Sequence, residues 1–171
     1  MRLSLLAILL TLSSAVASAA GALPYGPSLS FVAYRNGEPI GRHTVTFERD
    51  GGQLKVSTSI DLAVKFMGFT AYRYSHRAQE VWSGDSLVSL TSSTNDNGTK
   101  HNVMATRQAD DISVTHDGNR TVLPGKTLPS SHWNIEQVRQ SMLLNTQKGT
   151  EAKVNISQGP RENVKTLSGF V

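Results

Sequence analysis

The sequence contains no cysteine. That excludes disulfide scaffolds, thiolate zinc sites, thiol catalysis and a bacterial lipoprotein anchor, which is attached through a cysteine. Charged residues are sparse at 18% and aromatics make up 6%, while hydrophobic residues reach 38%. This balance is too apolar for intrinsic disorder and too polar for a polytopic membrane protein. Lys and Arg outnumber Asp and Glu 17 to 13, for a net charge of +4. The basic residues do not cluster, and no glycine loop suited to phosphate appears, so no nucleic-acid partner is expected. The five histidines, His43, His76, His101, His116 and His132, lack H-x-H, H-x-x-H and HExxH spacings, so neither a metal nor a cofactor is expected. GxSxG and SxxK motifs are missing as well. The 171 residues are enough for one domain.

The first nineteen residues read as an address. Arg2 supplies the positive start, residues 3–12 are apolar apart from Ser4 and Thr11, and residues 13–19 turn to small side chains. Ala17-Ser18-Ala19 suits signal peptidase, with a second cut available after Ala22. The apolar run is shorter than the roughly 20 residues a membrane span requires, so a cleaved leader with no remaining transmembrane anchor is expected. Residues 20–28 read as a flexible lead-in and 29–171 as a single β-rich domain. Export without cysteine favours a bacterial periplasm or exterior, because a domain of this size can be held by its core alone.

From Leu29 onward the hydrophobic pattern has period two. In residues 54–66, Leu54, Val56, Thr58, Ile60, Leu62, Val64 and Phe66 fall on one side, with Lys55, Ser57, Ser59, Asp61 and Lys65 on the other. Alternate strand side chains point to opposite faces, so this predicts a long strand, wet outside and buried inside. Further strands are predicted at 29–35, 40–49, 69–82, 87–94, 100–108, 112–116 and 120–123. Asn-Gly, Asp-Gly and Gly-Gly pairs punctuate them. The short connections leave no room for crossover helices, so the sheet should be an antiparallel meander. Strands this long coil, which favours a half-barrel or open barrel.

After a loop at 124–131, the pattern predicts one helix at about 134–144. Asn134 would be its N-cap, Gln137 the capping-box partner, and Trp133 with Val138 a hydrophobic staple. Ile135, Val138, Met142 and Leu143 would form its apolar stripe, laid over the sheet as a lid. Strands are expected to resume at 151–158 and 163–171. Residues 167–171 end the sequence on apolar side chains, which reads either as an edge strand or as a chain that continues.

Tyr72, Tyr74, His76, Glu80 and Trp82 share one face of the strand at 69–82. Rings with polar tips suit the rim of a ligand cavity, but they also suit an inward face satisfied by neighbouring Ser and Thr. His132 and Trp133, beside Ser130 and Ser131, form the densest local cluster. A hydroxyl beside an imidazole suggests a nucleophile and base, yet adjacent residues on an extended chain point apart. The cap reading is therefore preferred there, and no catalytic residue is assigned. The candidate ligand-binding set is Ile60, Leu62, Val64, Phe66, Tyr72, Tyr74, His76, Glu80, Trp82, His132 and Trp133.

The run Tyr72-Arg73-Tyr74-Ser75-His76 with Glu80 and Trp82, then Asn97-Gly98, then Leu128-Pro129-Ser130-Ser131-His132-Trp133-Asn134, resembles a family of exported proteobacterial proteins, domain of unknown function 6134. The resemblance implies compartment and outline, assigns no activity, and implies a further strand pair beyond Val171. More remotely, the outline is similar to the half-barrels of periplasmic lipoprotein carriers, an architectural analogy that does not fix function. Together these features favour a non-enzymatic binding or carrier module for a lipid or other apolar or amphipathic small molecule. An envelope protein is the alternative partner, and a hydrolase using His132 or His76 is the third reading.

Overall fold

The computed structural model describes residues 25–161, 163, 165–166 and 169–170. The leader at 1–19 and its two cleavage points lie outside the described residues. Eight strands follow one another in an open antiparallel sheet in sequence order. They are β1 (Ser28–Arg35), β2 (Glu38–Asp50), β3 (Gln53–Phe66), β4 (Phe69–Ser83), β5 (Ser86–Asp96), β6 (Thr99–Gln108), β7 (Asp111–His116) and β8 (Asn119–Pro124). The period-two pattern and the turn pairs predict this meander, and each predicted strand lies within its observed counterpart.

Register explains how the sheet is organised. Directly opposed residues of antiparallel strands share a face. One row therefore runs Phe47, Val56, Glu80, Leu90, Ala105 and Val114, and the next runs Val45, Thr58, Ala78, Ser92 and Val103. A third runs Phe31, His43, Ile60, His76, Thr94 and His101. Beyond it lie Gly41, Leu62 and Tyr74, then Val64 opposite Tyr72, and finally Phe66 opposite Phe69. On the other face, Thr44, Ser59, Arg77 and Ser93 form one such row and Thr46, Ser57, Gln79 and Thr91 another, a hydroxyl-rich surface.

The segment 125–154 caps the first three inner rows. It contains β9 (Leu128–Pro129), β10 (Met142–Leu144) and β11 (Glu151–Lys153), which form a small sheet of order β11-β10-β9, with β9 parallel to β10. Leu128, Leu143 and Leu144 join the core with Leu54, Val56, Trp82, Leu87, Leu90, Ile112 and Leu123. Arg107 fastens the cap's entry, donating to the carbonyls of Leu87 and Gly125.

The expected helix at 134–144 is not formed. Residues Ile135–Arg139 make a 3-10 turn, and Met142–Leu144 are a strand. Asn134 does cap the turn, accepting from the Glu136 backbone N–H at 3.0 Å. Gln137 closes no capping box, since its side chain is buried and its Nε2 has no partner. Ile135 and Val138, the intended stripe, are exposed. The physical reason is that an isolated short helix is marginal, whereas Leu143 and Leu144 gain two strand neighbours and a place in the core. Local propensity lost to tertiary packing.

Two smaller differences follow. The strand expected at 151–158 stops at Lys153, and the loop expected at 124–131 contains β9. The strand expected at 163–171 lies partly outside the described residues; within them, β12 (Lys165–Thr166) pairs with β13 (Gly169–Phe170).

Gly41 lies directly against the backbone of β3, opposite Leu62. A Cβ there would lie within van der Waals contact of the Asp61 carbonyl oxygen and 2.9 Å from the Leu62 Cα. Gly41→Ala should force the strands apart and destabilise the fold by about 2–3 kcal/mol, measured by urea denaturation. An unchanged midpoint would contradict the pairing of Gly41 with Leu62.

Candidate functional site

The long strand β4 delivers Tyr72, Tyr74, His76, Glu80 and Trp82 to the inner face, as their spacing predicts, while Arg73, Arg77 and Gln79 are exposed on the other. They do not converge on one point. Successive rows carry them from beneath the cap to beyond its edge.

Glu80 is the most buried titratable group of the set. Its side chain is 1% exposed, and a single oxygen, Oε2, accepts from two indoles, Trp82 Nε1 at 2.8 Å and Trp133 Nε1 at 2.9 Å. The two indole rings meet edge to face at 5.4 Å, and Trp133 packs edge-on against Phe47 at 5.6 Å. Trp133 is therefore an anchor of the cap in the core. The other carboxyl oxygen, Oε1, and the hydroxyl of Ser131 are both buried and make no hydrogen bond of good geometry. They lie near enough for the hydroxyl to favour the ionised carboxylate, as do both indoles. Burial outweighs these donors and raises the Glu80 pKa above the usual carboxylate range. A protonated Oε1 that donates to Ser131 Oγ would satisfy both orphans at once.

One row further out, imidazoles gather at the cap's edge. His43, His76 and His132 line a space of about 30 Å³ with Ile60, Ser131 and Thr146. That is room for one or two waters, far below what a lipid requires. His76 Nδ1 lies 2.8 Å from Thr94 Oγ1. Burial first, then His43 and Arg77, lowers its pKa to about 4. Burial also lowers that of His43, with His132 adding to the effect. His132 has φ +63°, a left-handed backbone that redirects the chain into Trp133. The Ser131 hydroxyl has no imidazole partner, so the Ser131–His132 neighbourhood is not assembled as a nucleophile and base. Among the described residues no three His, Asp or Glu side chains converge closely enough to hold a metal ion.

Beyond this row the inner face emerges from the cap. Tyr74 is buried, its hydroxyl unpartnered and its pKa pushed up to about 12, chiefly by burial. Tyr72 donates to Asp96 at 2.6 Å. Ile60, Leu62 and Val64 are half-buried, and Phe66 is 70% exposed, although the alternation of residues 54–66 places all four inward. The alternation is correct, but the cap is shorter than the strands. A groove of about 690 Å³ lies at this end, lined by Arg35, Pro39, Ile40, Val64, Lys65 and Phe66, among others. Sequence reasoning missed Arg35, Pro39 and Ile40: by register Ile40 belongs to the face opposite Val64 and Phe66, and all three lie on β1 or β2, whereas the candidate strand residues come from the inward face of β3 and β4.

With this geometry in place, the class is an uncharacterised domain family, here a one-sided β-meander with a clamped cap. The profile of that family, described as "Domain of unknown function (DUF6134)", matches residues 31–169. The chain belongs to this family. No curated protein and no solved structure matches it.

Two of the buried titratable groups, Glu80 and His76, oppose each other with pH. Glu80 has a raised folded pKa, so its contribution to stability is full below its unfolded value and is lost as pH rises through the folded one. His76 has a lowered folded pKa, so its contribution is full above about 6.5 and is lost as pH falls toward about 4. Glu80→Gln should remove the alkaline-side loss while keeping an acceptor for both indoles, whereas Glu80→Leu should destabilise by about 2–4 kcal/mol by orphaning them. His76→Gln should flatten the acid limb. Thermal melts from pH 4 to 9 check all three; a Glu80→Leu melt equal to wild type would contradict the clamp.

Proposed function

We propose that this protein is a non-enzymatic binding module that takes an apolar or amphipathic small molecule on the uncapped half of its sheet. The carrying observation is the groove of about 690 Å³ along the ends of β1–β4, where Val64 and Phe66 of the inner rows meet Ile40, Ala63 and Lys65 of the opposite face at the uncapped end of the sheet. Its volume is in the range of small-ligand sites, and its walls combine Ile40, Val64 and Phe66 with the ionic tips of Arg35, Glu38 and Lys65. An aliphatic body would lie on the former and a polar head against the latter. The site differs from a lidded cavity: the space of about 30 Å³ under the cap's edge is too small for such a molecule, which supports the open end of the sheet over the cap as its seat. Placement in the periplasm or outside the cell rests on the leader pattern of residues 1–19.

The test is direct. Protein purified after expression of the full chain is denatured, extracted into organic solvent and analysed by mass spectrometry, and a lipophilic dye is titrated into the stripped protein. A co-purified amphiphile, dye uptake, and loss of uptake in Val64→Asp with little change in melting temperature are expected. An empty extract together with no dye uptake would overturn the reading.

A further inference from the structure

Five connections of the meander turn on two residues that both have positive φ. They are Asn36-Gly37, Gly51-Gly52, Met67-Gly68, Asn97-Gly98 and Asp117-Gly118. This geometry matches the right-handed twist of the flanking strands, and its first position favours Asn, Asp or Gly because these adopt left-handed backbone cheaply. Four of the five turns obey that rule. The exception is Met67 at φ +49°, where a long apolar side chain gains nothing locally from the conformation.

Met67 is also 83% exposed, and its neighbours Phe66 and Phe69 are 70% and 79% exposed. The turn joins the two longest strands, of 14 and 15 residues, so the three side chains stand at the end of the longest hairpin. Backbone preference and solubility both argue against this sequence at this place. What it offers is an exposed apolar tip with no covering element among the described residues. One row behind the Phe66–Phe69 pair comes Lys65 opposite Thr70. Arg35 lines the same groove as Lys65 and Phe66, and Glu38 is the single acidic side chain there. The tip is thus apolar at its end with a cationic excess just behind it.

We infer that the β3–β4 tip, Phe66, Met67 and Phe69, inserts into the interfacial layer of a lipid bilayer, with Lys65 and Arg35 at the level of anionic headgroups. An exposed apolar hairpin end with a cationic excess just behind it suits a bilayer with anionic headgroups. A penetration of about 5–10 Å is what interfacial elements reach, and basic side chains behind an apolar end can hold their charge among the headgroups. The inference is independent of the groove: a protein that docks and carries nothing would satisfy it.

Flotation with extruded vesicles tests it. Wild type and variants are purified identically after expression of the full chain, so any contribution of the leader is common to all. On vesicles of phosphatidylethanolamine and phosphatidylglycerol at 3:1, wild type should float, and on phosphatidylcholine alone more weakly. Phe66→Ser/Phe69→Ser should lower partitioning by about tenfold or more. Met67→Asn should raise the melting temperature, since it restores the residue used in two sibling turns, and yet lower partitioning several-fold. A purely structural role for Met67 would not produce that pair of opposite changes. Lys65→Glu should reduce the preference for phosphatidylglycerol and leave binding to phosphatidylcholine intact. The inference is overturned if wild type does not float, if the tip variants float as wild type does, or if the Phe66/Phe69 variant instead dissociates a stable dimer in light scattering. Flotation retained by Val64→Asp with dye uptake lost separates this result from the groove reading.

Discussion

One buried carboxyl group joins the two halves of this molecule. Glu80 rises from the middle of β4 and accepts from an indole on its own strand, Trp82, and from one in the cap, Trp133. A carboxyl group in an apolar interior is costly unless its oxygens are hydrogen-bonded, and two indole N–H groups buried without an acceptor would be costly in turn. Each partner therefore requires the others. The arrangement fixes where the cap sits, and so which rows of the sheet are covered and which are left open.

The consequence is a graded face. Beneath the cap, Val56, Leu90, Ala105 and Val114 are fully excluded from water. At its edge stands a mixed row in which His76 and Thr94 satisfy each other. Past the edge, the same alternation of residues continues into half-buried Leu62 and Val64 and ends on exposed aromatics. The β2–β4 strands are longer than the cap that serves them, and that mismatch in length leaves the tip and the inner wall of the groove, Val64 and Phe66, uncovered. Where an apolar surface of this kind is left open, a binding partner is the usual reason.

Much of this was legible in the sequence. Alternation in residues 54–66 and 69–82, with turn pairs between, is enough to give eight strands, their order and the inward set Tyr72, Tyr74, His76, Glu80 and Trp82. The segment after Pro124 was not legible. The signals at Asn134 are genuine cap chemistry, yet they open a single 3-10 turn because Leu143 and Leu144 find better partners in β9, β11 and the core. The pairing of Glu80 with Trp133 spans 53 positions, and no periodicity connects them. A lone acid between Ala78 and Trp82 on an apolar face was the available hint, since a buried charge must have partners. Exposure of Phe66 was equally hidden, because alternation shows which way a side chain points and not how far the covering layer extends.

Hydroxyl-radical footprinting with residue-level mass spectrometry reads this boundary most directly. A clamp at Glu80 and a cap shorter than the strands predict strong labelling of Phe66, Met67 and Phe69, with Trp82 and Trp133 protected in the same molecules. Labelled indoles, or a tip protected in protein that is monomeric and free of lipid, would contradict the account.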